Sequence, residues 1–166
     1  YGLSTTTLQL ASAYAVLANG GERRPVSFFT TKQLPPAHRV ISAGSAAQVS
    51  QMLERVVREG TATAAAIPGY RVAGKTGTAR KAGVGGYSER RYQAVFAGYV
   101  PASRPRLVAV VVIDEPSAGA YYGGAVAAPV FARIMAGALR LMEIPPDDLP
   151  DGTGLVHSAA SPEELG

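Results

Sequence analysis

The chain has 166 residues, 47% of them hydrophobic and 17% charged, a balance that belongs to a folded globular domain and excludes an intrinsically disordered polypeptide. The absence of cysteine excludes disulfides, thiolate metal sites and a cysteine nucleophile. A net charge of +4, with no dense run of Lys or Arg, argues for a solvated basic surface and against a nucleic-acid footprint.

Two histidines, His38 and His157, are far apart in Pro- or Ser-rich surroundings and read as exposed loop residues, so neither a metal nor a cofactor is expected. No apolar stretch is expected to span a membrane and no signal peptide is visible, although Tyr1 is not a start methionine.

In chain order, residues 4–19 read as a helix. Thr6 and Gln9 make a capping box, Leu8, Leu10, Ala11, Tyr14, Val16 and Leu17 are its apolar positions, and Gly20-Gly21 ends it. Pro25 to Lys32, containing Val26, Phe28 and Phe29, reads as a short strand, followed by a loop at Pro35-Pro36. A second helix is expected from Ser42 to Glu59, with Val49, Met52, Leu53, Val56 and Val57 as its apolar stripe and Gly60 as its stop. The Ala-Thr tract 61–66 and Pro68-Gly69 break regular structure.

Val72 to Thr78 has the character of a strand with unusual glycines, and residues 82–86 that of a flexible loop. Tyr92 to Val100 and Leu107 to Ile113 are strong β runs. The turn between them, Pro101 to Pro105, is too short for a parallel crossover, so the pair is expected to be antiparallel. A second turn region spans Pro116 to Gly124. A final helix from Val126 to Met142 ends at Ile144-Pro145-Pro146. Residues 1–146 therefore form one domain portion, and the acidic stretch 147–166 is expected to be a disordered tail. There are no internal repeats. The order predicts an α+β fold, an antiparallel sheet flanked by helices.

The segment around Lys75 fits two incompatible chemistries. Gly69 to Thr76 matches the phosphate-binding pattern G-x-x-x-x-G-K-[ST], and Val110 to Glu115 resembles an apolar strand ending in magnesium-holding acids. A phosphate loop needs a strand before its first glycine and a helix beginning at the lysine, so that amides and helix dipole meet the phosphates. Here Ala-Ala-Ala-Ile-Pro68 precedes Gly69, and Gly77, Gly83, Gly85 and Gly86 occupy the place of the helix. Asp114 and Glu115 then read as polar residues closing a strand. The alternative, Lys75-Thr76-Gly77, is the third signature element of serine-acylating penicillin-binding proteins and β-lactamases and needs a strand, which the sequence supplies. The tripeptide is too short to decide alone.

The flanking segments decide. Val72 to Lys81, Ser4 to Asn19, Gly98-Tyr-Val-Pro-Ala102, Val112-Ile-Asp-Glu-Pro116 and Tyr121-Tyr-Gly-Gly-Ala-Val-Ala-Ala-Pro-Val-Phe131 together resemble class B penicillin-binding proteins. Their order and spacing are similar to the cell-division D,D-transpeptidase of Gram-negative bacteria, the FtsI type, over about residues 1–150. The long match argues against a β-lactamase, which shares only the Lys-Thr-Gly element. A non-catalytic module with a relict penicillin-binding fold is a further alternative.

The resemblance implies a transpeptidase domain of the penicillin-binding and serine β-lactamase type. It implies stem peptides ending in D-Ala-D-Ala as substrates and β-lactams as mimics of them. It also implies divisome partners that include a septal glycosyltransferase, and a periplasmic site at the inner membrane with an N-terminal anchor outside this chain. Lys75 is expected to supply positive potential and hydrogen bonds to active-site hydroxyls. Thr76 and Thr78 would bind the terminal carboxylate, the Thr78 backbone N–H would form half of the oxyanion hole, and Gly77 would let substrate backbone approach. Arg80 would share the face of Thr78 and reinforce carboxylate binding. Tyr121 and Tyr122, before Gly123, would wall the cleft, with Tyr92 joining them. Ordinary sheet packing is the competing account for each tyrosine.

Two elements of that family are not found in these residues. No Ser-x-x-Lys occurs, and Asn19, the only asparagine, is preceded by Leu17-Ala18 and so makes no Ser-x-Asn. The chain is expected to be the C-terminal part of a transpeptidase domain, unable to acylate by itself.

Overall fold

The computed structural model describes residues 4–30, 33, 35–83, 86–117 and 119–149, with backbone alone over 82–83 and 86–90. Helix α1 spans Thr7–Ala18, and its capping box is formed as expected: the Gln9 N–H donates to the Thr6 hydroxyl and the Thr6 N–H to the Gln9 side chain. Strands β1 (Glu22–Arg23) and β2 (His38–Arg39) form a two-residue antiparallel ladder. Helix α2 spans Ala43–Arg58, capped by the Ser42 hydroxyl accepting from the Ser45 N–H, with Arg55 and Arg58 complementing the dipole at its C-terminal end. A single 3₁₀ turn, Thr63–Ala65, leads into the main sheet.

That sheet consists of β3 (Ala73–Gly83), β4 (Gly86–Val100) and β5 (Leu107–Asp114), antiparallel throughout in the order β3-β4-β5. Two helices, α3 (Gly123–Val126) and α4 (Ala128–Leu141), follow with a break at Ala127. The fold is α+β, as the sequence predicts.

Alternation along the strands divides the sheet into two faces. One carries Val100, Phe96 and the partly buried Leu107, Ala109, Val111 and Ile113. Against it α4 lays Phe131, Met135 and Leu139, spaced i, i+4, i+8 on one helical side. The Phe96 and Phe131 rings meet at 4.7 Å and 60°, a tilted aromatic pair in a fully buried setting. The other face carries Ala73, Tyr99 and Val108, covered by Leu53 of α2 and by Tyr14 and Leu17 of α1. The Tyr99 hydroxyl donates to Ser50 at 2.6 Å, so its buried polar tip is satisfied. Burial raises the pKa of Tyr99, as it does that of Tyr14.

Several expected elements differ. Pro25 to Thr30 form no strand: Pro25 has no N–H to give a ladder, and the Ser27 side chain accepts from the Phe29 N–H and donates to the Phe29 carbonyl, closing a local turn. Phe28 and Phe29 are 84% and 85% exposed. Thr31 and Lys32 lie outside the described residues. The β pairing falls instead on Glu22–Arg23 and His38–Arg39, fastened by an Arg39–Glu22 ion pair at 2.7 Å. His38 is thus an exposed strand residue rather than a loop residue; His157 lies outside the described residues.

Met52 is 63% exposed and does not belong to the buried stripe of α2. The supposed loop 82–86 is mostly strand, since Ala82 pairs with Tyr87 and Gly83 with Gly86, leaving only Val84 and Gly85 outside the described residues. Helix starts at Gly123, not Val126. Gly123–Leu141 is also long and apolar enough to cross a membrane, contrary to expectation; here its apolar side chains Phe131, Met135 and Leu139 cover the sheet.

The start of the expected tail is tied down. Asp147 accepts from the Arg71 N–H at 2.8 Å and from the Ser103 N–H at 3.1 Å, and the N–H groups of Asp147 and Asp148 donate to the Gly69 carbonyl. The remainder, 150–166, lies outside the described residues.

Candidate active site

Lys75 and Thr76 lie within β3, paired with Ala97 and Phe96 across the ladder. A lysine on a strand cannot open a helix, so the phosphate-loop pattern does not form. Among the described residues β3 is an edge of the three-stranded sheet, with no strand paired on its outer side, the kind of edge to which an extended peptide can add.

The inner end of this strand is locked by packing. A Cβ on Gly74 would overlap the Phe96 ring, and one on Gly98 would lie 2.6 Å from the Ala73 carbonyl oxygen. Beyond Gly74 the side chains become exposed and polar. The Lys75 ammonium donates to the Thr76 carbonyl at 3.1 Å and to the Thr76 hydroxyl at 3.3 Å. The Thr76 hydroxyl also meets the Thr61 hydroxyl at 3.0 Å. Lys75, Thr76 and Thr61 therefore form a continuous hydrogen-bonded group.

Thr78 is anchored differently. Its hydroxyl accepts from the Gly123 N–H at 3.1 Å, which leaves its own proton free to donate. Gly123 is buried against the strand: a Cβ there would overlap the Gly77 and Val95 carbonyls, and one on Gly124 would overlap the Thr61 carbonyl. The glycine pair thus lets the loop after β5 close onto β3. A Cβ on Gly77 itself would meet only Val95 Cβ at 3.6 Å, an ordinary contact, so internal packing does not demand glycine at that position.

Further along, the cation and aromatic residues form a row. The Arg80 guanidinium carbon lies 5.9 Å from the Tyr92 ring centroid, Tyr92 stacks on Tyr121 at 4.3 Å and 17°, and Tyr121 meets Tyr122 at 4.4 Å. The Tyr121 hydroxyl donates to Tyr122 at 3.1 Å, and this bond is the main reason its pKa is raised. The row presents one positive charge beside a wide aromatic surface, a chemistry suited to a carboxylate next to an apolar group.

All nine residues singled out from the sequence thus lie on β3, on facing β4, or on the loop and first residue of α3 that close over them. The sequence reading missed Thr61. It sits fourteen positions before Lys75 in an Ala-Thr tract, and the Ala62 N–H donating to the Val56 carbonyl and the close approach of Gly124 hold this stretch beside Thr76.

Residues 1–136 match the penicillin binding protein transpeptidase domain. The chain belongs to this family. It is 48% identical over 153 residues to the peptidoglycan D,D-transpeptidase FtsI of Escherichia coli strain K12, covering 92% of this chain and 26% of that protein. It is 43% identical over 152 residues to the probable peptidoglycan D,D-transpeptidase PbpC of Pseudomonas aeruginosa, covering 91% and 27%.

Among solved structures, the apo transpeptidase domain of Burkholderia pseudomallei penicillin-binding protein 3 superposes with a TM-score of 0.83 at 45% identity, covering 90% of this chain and 46% of that one. The chain therefore spans about a quarter of these two relatives' length and under half of that solved domain.

Proposed function

We propose that this chain forms the Lys-Thr-Gly wall of a peptidoglycan D,D-transpeptidase site, the nucleophile being supplied by residues other than these 166. The observation that carries the reading is the edge strand on which Lys75, Thr76 and Thr78 present an ammonium and two hydroxyls beside the Arg80–tyrosine row.

In this mechanism a serine hydroxyl attacks the penultimate D-Ala carbonyl of a stem peptide lying antiparallel along β3. The carbonyl oxygen becomes an oxyanion held by the Thr78 N–H; loss of such a donor costs roughly 10²–10³ in rate. Collapse expels the terminal D-Ala and leaves an ester on the serine. A second stem peptide's amine then attacks that ester, forming the cross-link and releasing the serine.

Thr76 and Thr78 donate to the terminal carboxylate, charge-assisted bonds about twice as strong as neutral ones. Lys75 supports them with positive potential. Gly77 leaves room for substrate backbone, and the tyrosines pack on its side chains. β-Lactams enter the same way and remain as acyl-enzymes. The setting we propose is septal wall synthesis at the periplasmic face of the inner membrane, with divisome proteins including a septal glycosyltransferase as partners.

Labelling with a fluorescent penicillin tests the proposal. The full-length protein carrying this chain should be labelled covalently and Lys75→Ala should abolish the label. Undiminished labelling of that variant would remove Lys75 from the site, and a labelled 1–166 chain would contradict an external nucleophile.

A further inference from the structure

We propose that Lys81 is a positioning residue for the wall made by Arg80, Tyr92, Tyr121 and Tyr122, setting how tightly the site grips the side chain of its acyl donor. The inference rests on the transpeptidase reading above. Lys81 follows Arg80 where the β3–β4 register breaks: Arg80 faces Tyr92, but Ala82 faces Tyr87, so one residue of β3 stands opposite four of β4. Ladder hydrogen bonds are interrupted by this bulge at Lys81 and resume only at Ala82.

A side-chain clamp takes their place. The Lys81 ammonium passes across β4 to Asp114 at 2.9 Å and Glu115 at 2.7 Å, at the far end of β5. Glu115 returns the connection, its backbone N–H donating to the Tyr92 carbonyl at 2.9 Å, while Arg91 approaches its carboxylate at 3.8 Å. Lys81, Glu115, Tyr92 and Arg80 therefore close a circuit, and Tyr92 carries Tyr121 on its ring. Glu115 has φ of +49°, a left-handed conformation that a non-glycine residue keeps only when its surroundings hold it.

The electrostatics agree with the geometry. The hydrogen bonds that Lys81 donates to Glu115, then to Asp114, raise its pKa, and Lys81 is the largest cause lowering that of Asp114. Ion pairs this open to solvent contribute little to global stability. The consequence of the clamp is local, at the wall it borders.

Second-order acylation rates of the full-length protein test this with benzylpenicillin, whose phenylacetyl group would lie on the wall, and 6-aminopenicillanic acid, which has no such group. Lys81→Ala should slow benzylpenicillin about fivefold and leave 6-aminopenicillanic acid within about twofold, with Lys81→Arg restoring the former. Equal losses for both compounds, no loss, or no rescue by arginine would overturn the clamp's role. A parent protein acylated by neither compound would defeat the transpeptidase reading, and this inference with it.

Discussion

Along β3, Ala73 and Gly74 are buried beneath Tyr99 and Phe96, whereas from Lys75 onward the strand opens to solvent and its polar side chains have separate tethers. The inner half is fixed by volume, through contacts that tolerate no added carbon. The outer half keeps its ladder to β4, but its polar side chains are held by single hydrogen bonds and one ion cluster, which can be broken individually. A rigid root thus carries a chemically adjustable tip, the arrangement a site needs if its hydroxyls are to be aimed without being buried. Changes at the root should cost stability, and changes at the tip should cost chemistry.

The largest effect is expected at the root's support. Phe131→Ala removes the ring facing Phe96 and should destabilise the fold by about 3–5 kcal/mol in urea unfolding. A loss under about 1 kcal/mol would mean that this face is not the core. At the tip, Thr76→Val should slow penicillin acylation roughly ten- to a hundredfold, the size of a lost bond to a charged group, with little change in urea midpoint. A large stability loss there would erase the distinction between the halves.

Gly74→Ala, one residue before Lys75, should do the reverse and cost roughly 1–3 kcal/mol by forcing Phe96 aside. Thr61→Val should reduce acylation about two- to tenfold in the parent protein, the scale of one neutral hydrogen bond, and add nothing in a Thr76→Val background.

The smallest expected effect is that of pH on the Lys81 clamp. The depressed pKa of Asp114 means that its contribution is complete above its unfolded value and is lost as pH falls through the lower folded one. The raised pKa of Lys81 means that its contribution is complete below its unfolded value and is lost as pH climbs through the higher folded one. The preference for benzylpenicillin over 6-aminopenicillanic acid should therefore stay flat between about pH 5 and 9.

What was legible in the sequence follows the same division. The capping box at Thr6, the antiparallel β4–β5 pair and the Lys-Thr-Gly strand are local or periodic signals and appear as read. Phe28 and Phe29 misled because propensity cannot report that a strand lacks a neighbour to pair with. The helix start at Gly123 was hidden because its reason, close approach to Gly77, lies forty-six positions away. Thr61 and Lys81 were missed for the same cause: each acts through a partner that only the folded sheet brings near.

The most direct test of the account is a crystal structure of the full-length protein acylated by a penicillin. It should show the ligand carboxylate within hydrogen-bond distance of the Thr76 and Thr78 hydroxyls, and the acyl oxygen on the Thr78 N–H. A carboxylate bound away from both threonines would contradict the role given to the Lys75 strand.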